Sequence, residues 1–117
     1  MSRFLQIDIR LLAAYGSGGL KAQFPHLTQF LARSGYHRLL EEEPSVYHLV
    51  DGLIRIQNDP HVAAREKKPL ESLLDRIRKT RDEARELLLA RRLSELDQVL
   101  YRLEDLFLDL ERDLGSD

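Results

Sequence analysis

The chain has 117 residues, a formal net charge of −2 and no cysteine. This length suffices for one domain with a modest core, but not for two separate cores. The lack of cysteine excludes disulfides, thiolate catalysis and cysteine-ligated metals, and the small net charge gives the molecule no general attraction to nucleic acids or anionic membranes. The composition thus favours a cytoplasmic protein that binds neither membranes nor nucleic acids.

Residues 3–15 begin the chain with a pattern that fits two structures. Apolar and polar residues alternate from Leu5 to Leu11, as in a strand. On a helical wheel the same residues form a broad apolar face that only Asp8 interrupts. We predict a helix, because most of the chain has helical patterns and a single strand would have no partner. Asp8 and Arg10 also interrupt the apolar run, which argues against a signal peptide.

A glycine-rich segment, Gly16–Lys21, follows. Backbone N–H groups freed by glycine and a nearby lysine are features of phosphate-binding loops. The spacing GxxxxGK[ST] is missing and no Ser or Thr follows Lys21, so we interpret the segment as a connector between helices. A small-ligand enzyme or sensor that uses this loop is the weakest of three functional hypotheses.

Two helices are predicted between the glycine-rich segment and Pro44. The first spans Leu20–Ser34, where Pro25 is tolerable in a first turn, and Gly35 ends it. The second spans Tyr36–Glu43 and finishes with three consecutive glutamates. These acids would oppose the phosphates of DNA, so DNA recognition by this pair of helices is disfavoured.

Residues 45–58 again allow two interpretations. Apolar residues recur there at helical spacing, at Val46, Leu49, Val50, Leu53 and Ile54. The dipeptide Asp51-Gly52 could instead form a hairpin turn. We predict the helix, since accommodating Gly52 costs only about 1 kcal/mol whereas an isolated two-stranded ribbon is marginal. A hairpin here together with a strand over residues 4–11 would give a winged helix and would favour DNA binding.

The stretch from Pro69 to Leu114 contains no glycine and no further proline. Its first half has an apolar stripe that the polar pair Thr80–Arg81 interrupts. Its second half carries apolar residues at alternating steps of four and three, which is typical of a helical seam. These positions are Leu89, Leu93, Leu96, Leu100, Leu103, Phe107, Leu110 and Leu114.

The two halves of this stretch are out of phase by two residues near positions 90–92, so one straight seam cannot serve both. Residues 65–92 contain ten Lys/Arg against six Asp/Glu, and residues 93–117 contain two against eight. We therefore predict two antiparallel helices that fold back near Ala90–Leu93 and place the basic half along the acidic half. The alternative is one continuous helix of roughly 69 Å.

Signals for catalysis are weak in this sequence. The histidines are scattered, and no HExxH motif or nucleophile elbow is present. We predict a protein that is not an enzyme, with no catalytic, metal or cofactor site.

Tyr101 and Leu108 lie seven residues apart on a helical face separate from the seam. An aromatic residue and a leucine aligned in this way are common anchors of helix-mediated association. We predict a partner interface that combines both with the seam residues Leu93, Leu96, Leu100, Leu103 and Phe107. The alternative is that Tyr101 and Leu108 pack beneath the N-terminal helices of the same chain.

The predicted fold is all-α, a bundle of about five helices. Residues 1–60 form an N-terminal helical cluster, residues 61–68 a connector and residues 69–117 a coiled-coil-like antiparallel hairpin, all in one compact unit. The alternative is an α+β protein with an N-terminal winged helix. The preferred function is a helical adaptor or structural subunit that associates with itself or with another protein. A DNA-binding regulator with a helical dimerisation arm is the alternative.

Overall fold

The computed structural model describes Tyr15 and residues 18–116. Every regular element in this part of the chain is a helix, which confirms the all-α prediction, with six helices rather than about five. The helix predicted over residues 3–15 lies outside the described residues, except for Tyr15. The helices are α1 (Gly19–Gln23), α2 (Pro25–Arg33), α3 (His37–Glu42), α4 (Val46–Gln57), α5 (Lys68–Leu89) and α6 (Leu93–Leu114).

The helices α5 and α6 form the predicted antiparallel hairpin, and the alternative of one continuous helix is wrong. The chain reverses at Ala90–Arg92 although no glycine is available there. Arg91 adopts the left-handed conformation instead, with φ 59°. The backbone N–H of Arg92 bonds to the carbonyl of Leu87 at 2.9 Å, and the N–H of Arg91 bonds to that of Leu88 at 3.1 Å. This pair of bonds is the Schellman motif that commonly ends a helix.

The predicted helix over Leu20–Ser34 is divided into α1 and α2. Phe24 separates them with φ −132° and ψ 67°, outside the helical region. The cause is Pro25, which disfavours the helical conformation of the residue before it and occupies the first turn of α2. The interruption turns the Phe24 ring into the core, where it meets the ring of Phe107 edge-on at 6.2 Å.

Residues 45–58 contain the helix α4 and no hairpin. The winged-helix alternative is therefore wrong, since it required strands in this part of the chain. Gly52 lies buried in the middle of α4, facing α3. A Cβ atom at this position would lie 2.5 Å from Cδ1 of Leu39, so the missing side chain makes room for the Leu39 side chain of α3.

The connector before α5 is tied to α4 by a buried lysine. The Nζ of Lys67 donates to the carbonyl oxygens of Gln57 and Asp59, at 3.1 and 2.6 Å, and so satisfies groups at the C-terminal end of α4. The Asp59 carboxylate accepts bonds from the His61 backbone and the Tyr36 hydroxyl. The bond from the His61 backbone is the main cause that lowers the pKa of Asp59.

Helices α2 and α4 pack against the hairpin, and α1 and α3 pack against α2. The main core lies between this cluster and the hairpin. On the hairpin side it contains Leu70, Leu73, Ile77, Leu103, Phe107 and Leu110. We call residues 68–83 and 101–114 the hairpin base, and residues 84–100 the hairpin tip. The tip has a separate buried cluster of only Ala84, Leu96 and Val99.

Candidate protein-association surface

Two large apolar side chains project from one flank of α6. Tyr101 is 63 % exposed and Leu108 is 43 % exposed. They are seven residues apart, which is about two turns of the helix, so they lie on one line. The flank is separate from the buried seam, as the spacing predicted. The described helices α1–α4 leave both side chains accessible. The predicted helix over residues 3–15, which belongs to the same alternative, lies outside the described residues except for Tyr15.

The structure does not bring all seven predicted interface residues to one surface. Leu96, Leu103 and Phe107 are buried inside their own chain, and Leu100 is partly buried. The seam that they form is closed by α5 and the N-terminal helices, so it cannot contact a partner while the fold is intact. Leu93 is 55 % exposed, but it lies in the hairpin tip, at the first position of α6.

The surroundings of Tyr101 and Leu108 are acidic. Asp97 and Asp105 are exposed beside them, and Glu104 is half-buried. The two arginines of the helix are also exposed, and each already binds a carboxylate, Arg102 that of Glu83 and Arg112 that of Asp109. The whole of α6 has seven acidic residues against two arginines, a net of −5. The flank therefore combines two apolar anchors with a negative field. Such a surface favours a partner that brings an apolar patch with lysine or arginine around it.

A carboxylate from α6 holds this helix in place against α2. Glu111 accepts hydrogen bonds from the backbone N–H groups of His26 and Leu27, at 2.9 and 2.8 Å, and lies 2.6 Å from Nδ1 of His26. The first N–H groups of a helix have no partner within the helix, and a negative group is stabilising there. Glu111 thus caps α2 and fixes the helix that carries Tyr101 and Leu108.

The glycine-rich segment takes part in a similar contact. The backbone N–H of Leu20, at the start of α1, donates to Oε2 of Glu43 at 2.9 Å. A Cβ atom on Gly19 would lie only 2.2 Å from that oxygen. The absence of a side chain at Gly19 therefore makes room for a carboxylate of the same chain. This contact places a carboxylate on one of the N–H groups that a phosphate would otherwise use, in agreement with the connector interpretation.

Tyr15 closes the core at the same end of the molecule. Its ring meets the ring of Phe24 edge-on at 6.3 Å, and its hydroxyl donates to the carbonyl of Pro44. Burial raises the pKa of Tyr15, and the nearby carboxylates of Glu43 and Glu104 raise it further. The phenol therefore stays neutral and acts as a hydrogen-bond donor at physiological pH.

The sequence pattern missed one exposed residue, Leu89, which it assigned to the seam. Leu89 is 69 % exposed at the end of α5, and Leu87 and Leu88 beside it are only partly buried. The sequence did contain a signal for this exposure, since Leu89 lies next to the two-residue phase change and a seam cannot continue through a chain reversal. Together with Leu93, it makes the end of the hairpin apolar.

Two absences concern the part of the chain that the structure describes. No group of three or more His, Asp and Glu side chains is arranged to hold a metal ion among these residues. None of the described helices has both the length and the apolar character needed to cross a membrane. His26 and His61 each lie beside a single carboxylate, that of Glu111 and that of Asp59.

Comparisons of this chain with protein-family models, with curated proteins and with solved structures found no match. The function is therefore inferred from the geometry and charge of the surfaces described above.

Proposed function

We propose that this protein is a non-enzymatic helical adaptor or structural subunit that binds another protein through the flank of α6. The observation that carries the proposal is the exposure of Tyr101 and Leu108 on one line of a helix with a net charge of −5. Exposed apolar residues are ordinary when single. An aromatic and an aliphatic side chain two turns apart match the anchor spacing by which helices enter grooves.

The partner surface has a predictable chemistry. Tyrosine is enriched among the residues that dominate binding energy, because it buries a large ring and keeps its hydroxyl available for a hydrogen bond. Asp97 and Asp105 beside it are exposed and attract basic groups. We therefore expect an apolar groove or helix with lysine and arginine at its rim.

The fold supports such a role by holding the flank rigid before the partner arrives. Phe107 and Leu110 anchor α6 in the main core, and the Glu111 cap joins it to α2. A surface that is already ordered loses less conformational entropy on binding than a flexible one. A cytoplasmic setting belongs to the same proposal, and the cysteine-free sequence fits a reducing compartment.

The test compares two variants with the same change in charge. The first carries Tyr101→Glu and Leu108→Glu, and the control carries Gln29→Glu and Ser72→Glu at exposed positions of α2 and α5, away from α6. Each is expressed in the native host with a photo-crosslinking residue in place of Asp105. We expect cross-links to a distinct protein in wild type and control, and their loss in the first variant.

Circular dichroism and thermal melting of both variants show whether the fold is retained. A folded first variant that still gives the same cross-links would contradict the proposal. So would a wild-type protein that gives no cross-link to any other protein. Unfolding of the first variant with the control intact would also contradict the proposal, because the fold would then depend on side chains that the structure leaves exposed.

A further inference from the structure

We propose that the chain contains its own ligand for the flank of α6. In this inference residues 3–14 bind over Tyr101 and Leu108, and a protein partner has to displace them. The inference rests on the proposed function, because it concerns the regulation of the same flank. It is argued from the position of Tyr15, from the residues that precede Tyr15 and from the charges of the flank.

Tyr15 fixes the point at which residues 3–14 join the described fold. Its side chain is anchored by an edge-on ring contact and by the bond from its hydroxyl. The carboxylate of Glu104 lies near enough to raise the pKa of this hydroxyl. Glu104 follows Tyr101 by three positions and precedes Leu108 by four, so it is the neighbour of both on the helix surface. The chain therefore joins the fold beside the two exposed side chains.

The segment before Tyr15 is long enough to cover both of them. Tyr101 and Leu108 are separated by about 10 Å along α6, since each residue adds about 1.5 Å to a helix. Residues 4–14 span roughly 16 Å as a helix and roughly 36 Å as an extended chain. The segment can thus reach across the flank in either conformation while Tyr15 stays in place.

The composition of the segment matches what the flank requires of a partner. On the helix predicted for residues 3–15, Phe4, Ile7 and Leu11 form one apolar line, and Arg3 and Arg10 lie along its edge. Phe4 and Leu11 are seven residues apart, which is also the spacing of the two exposed side chains of α6. An apolar patch bordered by arginine is the surface that we expect of a protein partner, so the segment can imitate one.

The charges of the segment and of the flank are opposite. Residues 3–14 contain two arginines and one aspartate, a net of +1. On the flank, Asp97, Glu104 and Asp105 form no ion pair with any residue that the structure describes, whereas both arginines of α6 are already paired. These carboxylates attract a basic segment and repel a second acidic flank. A segment of the same chain also has a high effective concentration at the flank.

Photo-cross-linking in the purified full chain tests this contact without any partner. A photo-reactive residue replaces Asp105 on the flank, and in a control protein it replaces Asp75, which is exposed on α5. We expect cross-links from position 105 to residues 3–14 within one monomer, identified by peptide mass spectrometry, and none from position 75. The absence of these cross-links from position 105, or an equal yield from position 75, would overturn the inference.

Variants of the segment test its effect on the partner site. Phe4→Glu with Leu11→Glu removes two apolar anchors, and Ser2→Glu with Gln6→Glu is the control, with the same change in charge on another side of the predicted helix. We expect the first variant to lose most internal cross-links and to give several-fold more cross-links to the partner, because the flank is then free in a larger fraction of the molecules. The control should behave like wild type.

A first variant that keeps the internal cross-links would overturn the inference, and so would one that loses them without a gain in cross-links to the partner. Circular dichroism shows whether each variant folds. If the first variant does not fold, the cross-links from position 105 in the otherwise unchanged chain decide the question.

The inference and the proposed function fail in different ways. The internal contact is measured on the isolated chain, so its absence overturns the inference and leaves the proposed function standing. An intact internal contact in a protein that cross-links to no other protein contradicts the proposed function. The segment would then be a permanent cover of the flank, which also overturns its regulatory role.

Discussion

The base and the tip of the hairpin are continuous in sequence pattern but differ in structure. Leu89 and Leu103 belong to one apolar repeat, yet Leu89 is largely exposed and Leu103 is fully buried. The difference arises outside the hairpin, because the N-terminal helices share the main core with the base, whereas Tyr47 of α4 is the described residue outside the hairpin that packs against the buried cluster of the tip. An apolar repeat therefore determines which side of a helix can be buried. How much of that side is buried depends on the length of the neighbouring helices.

Arg81 marks the boundary between the two regions. Its side chain is only 12 % exposed, its guanidinium binds Asp51 of α4 at 2.7 Å and it lies 5.9 Å from the centre of the Tyr47 ring. Hydrogen bonds to Asp51 and Asp82 raise the pKa of Arg81 against the opposing effect of its burial. The polar interruption of the α5 stripe is thus a contact between helices.

The largest expected effect separates the two regions directly. Leu103→Ala in the base should lower the free energy of unfolding by about 3 to 5 kcal/mol, whereas Leu96→Ala in the tip should lower it by about 2 kcal/mol. The chemistry is the same, but a cavity in the thin tip can relax more easily. Urea unfolding at constant slope measures both losses. Equal losses would mean that tip and base are packed alike.

The next effect concerns the cap that joins α2 to the base. Glu111→Ala should cost about 2 kcal/mol, since two backbone N–H groups of α2 lose a charged acceptor. Asp109→Ala is the matched control, because its carboxylate is exposed and binds only Arg112 of the same helix. The control should stay within about 0.5 kcal/mol of wild type. A comparable loss in both variants would argue against a special role for the cap.

A gain in stability is expected at the tip. Arg91→Gly should raise the free energy of unfolding by about 1 kcal/mol, because glycine adopts the left-handed conformation without a steric penalty. Ala90→Gly, one residue earlier in a right-handed helical conformation, is the control and should be destabilising. Thermal and urea unfolding compare the two. Loss of stability in both would show that the turn is not strained at Arg91.

The smallest effect is the coupling across the boundary. A double-mutant cycle with Arg81→Met and Asp51→Asn should give an interaction energy of about 0.5 kcal/mol, as for partly exposed ion pairs. The pair Lys79 and Asp75, which lies exposed on α5 alone, provides the comparison. High salt should reduce both couplings, and more strongly that of the exposed pair. The absence of coupling between Arg81 and Asp51 would mean that this ion pair does not help to hold α4 against α5.

Much of the helical architecture could be predicted because it depends on local patterns. The hairpin follows from the phase change near Ala90, and α4 follows from five apolar residues at helical spacing. The exposure of Tyr101 and Leu108 could also be predicted, since a helical wheel separates them from the seam. The division at Phe24 was missed because a proline in a first turn is compatible both with one helix and with a new start.

The remaining features depend on contacts between distant residues. The sequence contains no local signal that Glu111 caps α2, because the two residues that it binds are far away in the chain. Nor does it show that Lys67 caps α4, because this lysine lies in a polar connector and resembles its neighbours there. Leu96, Leu103 and Phe107 were predicted to contact a partner, although they are buried within the chain, because the contacts that bury them also come from distant residues. A single chain does not reveal which of its own helices will cover a given seam.

The bond between Glu111 and α2 has a consequence for the order of folding. It joins Glu111 to Leu27 and His26, which lie 84 and 85 positions earlier in the chain. By contrast, α5 and α6 are connected by a turn of three residues. Contacts between distant residues form later than local ones, because closing a long loop costs more chain entropy. The hairpin should therefore assemble first and provide the template on which α2 docks. Stopped-flow measurements should accordingly show that Glu111→Ala accelerates unfolding and leaves the folding rate nearly unchanged.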